Sequence, residues 1–144
     1  MNDWTVKIYN DFDVHLENLW RNLESECQNY VFQSYDWIYN WQQIVGNYKG
    51  IKPVIITVTH NGKVVALFPM ALRIFFGTRI LEFIGGDQSD YNAPLIIDKY
   101  VNNEKIKEIW SRVKIALPSH DIRIFLRIPN LIANKENFLS SIWK

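Results

Sequence analysis

The spacing of apolar positions changes several times along the chain, and each change marks an element. Trp4 to Tyr9 predicts a short first strand. Asp13 is placed to cap a helix, and Leu16, Leu19, Trp20, Leu23 and Cys27 follow at helical spacing. His15, Arg21 and Glu24 fall off that stripe. Ser34 starts a second helix, with Asp36 in its favourable first turn. Trp37, Trp41, Ile44 and Tyr48 predict its buried face, flanked by Ile38 and Val45, and Gly46 or Gly50 its end.

The middle of the chain predicts strands. Val54 to His60 follows Pro53 and is dense in β-branched residues. Asn61-Gly62 is a strong hairpin signal, because a type I′ turn needs positive φ at both positions. Lys63 to Phe68 reads as the return strand. Pro69 lacks an N–H and predicts a bulge, an edge or a break, with Met70 to Phe76 continuing beyond it. Gly77-Thr78 reads as another tight turn before a third strand, Arg79 to Ile84. Gly85-Gly86-Asp87 opens a polar loop through Asn92, and Leu95 to Ile97 reads as a short strand.

Asn103 to Leu117 predicts a third helix, with Ile106, Ile109, Trp110, Val113 and Leu117 inward and Glu108 to Arg112 as a supporting pair. Pro118 stops it. Asp121 to Ile128 alternates, with Ile122, Ile124, Leu126 and Ile128 on the predicted inner face. Phe138, Leu139, Ile142 and Trp143 predict a last helix just before Lys144. An apolar turn so placed suggests a chain cut short of its natural length; the alternative is a short helix docked on the sheet.

Composition narrows the class. The 144 residues carry 16 basic and 15 acidic side chains, 48% apolar and 15% aromatic. Such a chain has enough apolar surface for one core and should fold to about 7,700 Å² of surface; disordered chains are poorer in aromatics. A net charge of +1 gives no electrostatic case for nucleic acid or an anionic membrane as the main partner. No stretch is long and apolar enough for a membrane span. The start, Met1 to Trp4, does not read as a signal peptide, and the single cysteine, Cys27, fits a reducing, cytoplasmic compartment.

The usual chemical signatures are missing: no Gly-x-Gly-x-x-Gly, no P-loop, no Gly-x-Ser-x-Gly, and no His pair at metal spacing among His15, His60 and His120. Cys27 reads as a small core residue. The segment with most functional potential is Gly85 to Asn92, where Asp87, Asp90, Tyr91 and Asn92 leave a strand end together. It reads either as a ligand-presenting loop or as a turn-rich crossover whose Asp and Asn cap backbone groups. His120-Asp121 reads as a capped turn. Glu82 is expected on the exposed face of its strand, with a tuned carboxylate as the alternative. Tyr35, Trp37, Tyr39 and Trp41 read as a core stripe, with stacking on a sugar or base as the alternative.

Three segments in order carry a resemblance: Val31-Phe32-Gln33-Ser34-Tyr35-Asp36-Trp37, then Gly62 to Met70, then Leu81-Glu82-Phe83-Ile84-Gly85-Gly86 leading to Ser89-Asp90-Tyr91-Asn92-Ala93-Pro94-Leu95-Ile96. Together they resemble the N-terminal half of CelD-like acyltransferases, of the cellulose-biosynthesis-protein type. These belong to the GNAT superfamily and are distantly Fem-like. The resemblance spans about Trp4 to Pro129 and implies an α/β (α+β) fold with a mostly antiparallel, twisted mixed sheet and three to four helices. It implies acyl transfer from acetyl-CoA or another acyl-CoA to a small-molecule or glycan-type amine in cell-envelope or polysaccharide metabolism. Residues 1–144 would be a single GNAT-like N-terminal domain ahead of a C-terminal CoA-binding half. The family's Gln/Arg-x-x-Gly-x-Gly/Ala loop has one near match, Gln43 to Tyr48, which carries Tyr at the last position and ends a helix. No cofactor-binding residue is therefore assigned in this chain, no metal ligand either, and Asp87, Asp90, Tyr91 and Asn92 are the candidates for facing the acceptor. The alternative function is a non-enzymatic α/β module that binds a ligand or partner through its aromatic face.

Overall fold

A computed structural model describes residues 3–132 and 134–143. Met1, Asn2 and Lys144, named above, lie outside the described residues. The accessible surface is 7769 Å², close to the size expected for this mass.

Strand β1 (Trp4–Tyr9) is followed by helix α1 (Val14–Glu26). The Asp13 carboxylate caps α1 by accepting from the Leu16 N–H at 2.7 Å. Helix α2 (Tyr35–Trp41) starts at Ser34, whose Oγ accepts from Trp37 N at 3.2 Å, and runs into a π-helical turn at Gln42–Gly46. Strands β2 (Lys52–His60), β3 (Lys63–Phe75) and β4 (Thr78–Phe83) form an antiparallel meander. The β2–β3 turn is the expected one, with φ of +50° at Asn61 and +82° at Gly62. After β5 (Leu95–Ile96) and α3 (Asn103–Ala116), β6 (Ile122–Ile124) joins the sheet parallel to β4. A small hairpin, β7 (Leu131–Ile132) with β8 (Lys135–Glu136), leads to α4 (Phe138–Ile142).

The sheet order is β1-β2-β3-β4-β6, with β5 beside β3. The described residues are thus mixed α+β with a mostly antiparallel sheet and four α-helices. Strands β2 and β3 are buried almost continuously, which requires cover on both faces. Register puts Val6, Ile56, Val58, Phe68 and Phe83 on one face. There Phe68 meets Trp110 of α3, and Phe83 meets Phe125 and Trp143. The other face lies under α1 and α2, where Phe12, Trp20, Tyr35 and Tyr39 form an aromatic cluster.

Three expectations change. Helix α2 buries Tyr35, Ile38 and Gln42, not the Trp37–Tyr48 stripe; Ile44 is 73% and Tyr48 92% exposed. Both faces of this helix are rich in large apolar groups, so spacing alone could not choose between them, and the π-helical turn shifts the register beyond Trp41. Pro69 neither bulges nor breaks β3. Its carbonyl accepts from Ile84 N at 2.9 Å, so its backbone faces away from β2, at the gap where β5 pairing ends and β4 pairing begins. The Asp121–Ile128 strand shrinks to three residues, because Arg127 takes φ of +55° and Phe125, not Leu126, turns into the core. The first and second strands, the β2–β3 hairpin, α1, α3 and α4 stand where expected; the β3–β4 turn falls one residue earlier, at Phe76-Gly77, and the β7–β8 hairpin was not expected.

Candidate functional site

The loop after β4 begins at Gly85 and Gly86, both at positive φ, and makes a 3-10 turn over Gly86–Gln88. It is fastened from two sides. Arg127 Nη1 donates to the carbonyls of Asp87 at 2.8 Å and Ser89 at 3.3 Å. Asn92 N donates to Arg127 O and Asn92 Nδ2 to Leu126 O, both at 3.0 Å. From the start of α2, Gln33 Nε2 donates to Tyr91 O at 2.9 Å. A segment rich in Gly and Asp is thereby held on a fixed scaffold, the arrangement loops need to present ligand groups.

A trench runs beside this loop. Alternation along β3 and β4 sets Arg73 and Glu82 on the α2 side of the sheet, where they pair at 2.7 Å. The Glu82 side chain is only 15% exposed. This corrects the expectation of an exposed glutamate: a lone polar residue in an otherwise apolar strand reads as solvent-facing, but α2 and the Gly85 loop roof this position. Burial pushes the Glu82 carboxyl above its usual range, Arg73 pulls it back, and nearby Asp87 adds to the rise. Trp41, Lys49, Arg73, Phe75, Glu82 and Asp87 line a hollow of about 570 Å³. Through Trp41 and Gln88 it joins an aromatic groove of about 670 Å³ bordered by Val31, Trp37, Asn40 and Ile44. The Trp41 indole N–H donates to the Gln88 amide oxygen at the junction. On the other side Glu82 and Asp87 border a smaller hollow of about 160 Å³ with Asn92, Ile124 and Leu126. The two larger hollows fall in the usual range for ligand sites, roughly 300–1,000 Å³.

The four predicted site residues separate. Asp87 stands on the trench wall, exposed, with no hydrogen bond or ion pair from its carboxylate among the described residues. Asn92 borders the smaller hollow on the other side of Glu82, and its amide N–H is taken by Leu126. Asp90 is exposed and lies 3.8 Å from Arg127 Nη1. Tyr91 stacks on Tyr30 at 4.5 Å between ring centres. Of the aromatic cluster, Tyr35 is core, while Trp37 and Trp41 are half-buried and open to the groove. His120 accepts from Arg123 Nε at 2.9 Å, and Asp121 pairs with Arg79 at 3.0 Å, so this pair fastens the start of β6 to β4. Cys27 Sγ donates to Leu23 O, and burial pushes its thiol up to about 11.

Residue spacing did not reveal Arg73 or Lys49, because each reaches the trench from a different element, whereas Gln88 lies within the Gly85–Asn92 segment already singled out. Arg127 had one sequence signal: an arginine two residues before Pro129, at the end of an alternating run. The near match to a CoA loop, Gln43 to Tyr48, forms the π-helical turn and its exit. Its helix terminus presents carbonyls, the wrong polarity for a pyrophosphate. Among the described residues no group of three or more His, Cys, Asp or Glu is placed to hold a metal ion, and no helix is long and apolar enough to cross a membrane. Comparison with known protein families, curated proteins and solved structures finds no match.

Proposed function

We propose that the trench beside Gly85–Asn92 binds the amine of a small-molecule or glycan-type acceptor, and that the chain is the acceptor-side part of an acyl-CoA-dependent N-acyltransferase. The observation that carries this reading is the unpaired Asp87 carboxylate beside half-buried Glu82, next to an aromatic groove. An exposed carboxylate without an intramolecular partner suits an ammonium ligand, and indole faces suit a sugar ring. The CelD-like resemblance and the mixed α+β fold with its mostly antiparallel sheet agree with it. In the transfer, the neutral amine attacks the thioester carbonyl, the C–S bond breaks, a base takes the amine proton and CoA leaves as the thiol. The role of this chain is to hold and orient the amine; a CoA-binding half is its expected partner, and the cytoplasm its expected compartment.

The test is calorimetric titration of the chain with glucosamine, N-acetylglucosamine and acetyl-CoA. Glucosamine should bind, its N-acetyl form about tenfold or more weakly, and acetyl-CoA not measurably. Equal binding of the two sugars, or micromolar acetyl-CoA binding, overturns the reading. A second reading, a non-enzymatic module that binds a partner through its aromatic face, is favoured by the exposure of Ile44 beside Trp37 and Trp41.

A further inference from the structure

The β3–β4 hairpin projects beyond the sheet. Strand β2 begins at Lys52, opposite Leu72, so Arg73–Phe75 have no partner on that side. Three residues of strand reach about 10 Å past the edge. The tip is apolar: Ile74 and Phe75 are exposed, and Phe76 is 92% exposed. Phe75 and Phe76 pack edge to face at 4.6 Å between ring centres.

The tip residue is also strained. Phe76 takes φ of +48° ahead of Gly77 at +77°, the same turn that Asn61-Gly62 makes at the other hairpin. One turn thus carries the residue its geometry favours, and the other carries a bulky aromatic that it disfavours. Folding gives little reason for a phenylalanine there, since its ring meets Phe75, itself exposed, and its backbone is strained. A contact outside the chain supplies one.

The same surface holds a receptor. Phe75 borders the trench, which continues through Trp41 into the groove of Trp37, Trp41 and Ile44. Projection and groove therefore lie on one continuous patch, the arrangement a two-fold interface requires, because each copy must offer both halves of the contact. We propose that the chain forms a two-fold dimer in which the Phe75-Phe76 tip of each copy seats in the Trp37–Trp41–Ile44 groove of the other. Phe75 and Phe76 expose on the order of 300 Å² at roughly 200 Å² per ring. Ile44, Ile74 and the open faces of Trp37 and Trp41 extend the patch towards the roughly 800 Å² per partner of a stable interface. The groove, at about 670 Å³, has room for both rings. The dimer leaves Asp87 free but fills the groove whose indole faces the amine-binding reading offers to a sugar ring, so the two occupants compete there, while association is measured without any sugar present.

Sedimentation at micromolar concentration tests it. The wild-type chain should be a dimer. Phe76→Asn and Ile44→Lys should each raise the dissociation constant about tenfold or more. Because one removes the projection and the other spoils the groove, an equimolar mixture regains one contact of two and should associate more tightly than either variant alone. Phe76→Asn also places Asn-Gly in the turn, so under dilution to monomer it should melt about 3 °C higher than wild type. That shift shows that lost association is not misfolding. A wild-type chain monomeric at about 100 μM, association that survives both substitutions, growth beyond dimers, or a monomer that instead sediments with anionic lipid vesicles overturns the proposal.

Discussion

Gly85 lies against Trp37 so closely that a Cβ on it would stand 2.8 Å from the indole Cζ3 and 2.2 Å from Ser89 Oγ. The contact joins the candidate loop to the groove-lining helix and leaves no room for a side chain. The backbone here also has φ of +109°, outside the range of L residues.

Gly85→Ala should therefore destabilise the chain by on the order of 3 kcal/mol, through backbone strain and displacement of Trp37 or Ser89. Gly86 has no atom near an added Cβ, so Gly86→Ala meets only its φ of +49° and should cost about 1 kcal/mol. Urea unfolding of the two variants gives the comparison. Equal losses would show that neither the φ of +109° nor the contact with Trp37 sets Gly85 apart from Gly86.

Much of the fold was legible because its signals were local. Asp13 and Ser34 cap the helices they were expected to cap, and Asn61-Gly62 turns as its backbone preference dictates. What depended on three dimensions was not legible. The face of α2 was misread because Trp37, Trp41 and Ile44 stand at the same spacing as a core stripe. Nothing local says that Tyr35, Ile38 and Gln42 meet the sheet instead. Glu82 was misread for a related reason: alternation gave its side of β4, but the roof over it comes from distant residues. The site was partly legible. The Gly85–Asn92 segment, with Asp87 and Asn92, was singled out by composition, whereas Arg73 and Lys49 join it only in the folded chain.

Asp87 and Asn92 should behave oppositely. Asn92 is nearly fully buried, and its amide holds the Leu126 carbonyl, so Asn92→Ala removes a part-buried hydrogen bond that fastens the loop and leaves a gap where the amide packed. A loss of about 2 kcal/mol in stability is expected, with amine affinity of the folded chain unchanged within about twofold. Asp87→Asn touches no intramolecular partner. Its stability should stay within about 0.5 kcal/mol of wild type while the preference for glucosamine over its N-acetyl form disappears. Paired denaturation and calorimetry separate the two. Unchanged discrimination in Asp87→Asn removes this residue from the amine site.

Cys27 should be a slow thiol. Burial lifts it to about 11, so at pH 8 the thiolate fraction is about a hundredfold below that of an exposed cysteine. Alkylation by iodoacetamide should be slower by at least that factor and become fast on unfolding. The same shift has a stability consequence. The fold favours the neutral thiol, so this contribution is complete below the unfolded value of 9.0 and is lost as pH rises towards about 11. The advantage of wild type over Cys27→Ser should shrink across that window.

The Arg73–Glu82 pair makes the sharpest pH prediction, because its two contributions have opposite signs. Attraction to Arg73 favours the carboxylate, and burial favours the neutral acid. Burial is the larger, so the folded carboxyl titrates above the unfolded value of 4.5. A group raised in this way adds stability below its unfolded value and loses that contribution as pH rises through its folded value. The cost of Glu82→Gln, which cannot titrate, should therefore be greater at pH 4.5 than at pH 7. A salt bridge dominated by charge attraction gives the reverse, since acid would neutralise the partner that Arg73 needs. Urea unfolding of wild type and Glu82→Gln at the two pH values decides the sign. A cost that falls towards acid would mean that Arg73, and not the roof formed by α2 and the Gly85 loop, controls this carboxylate.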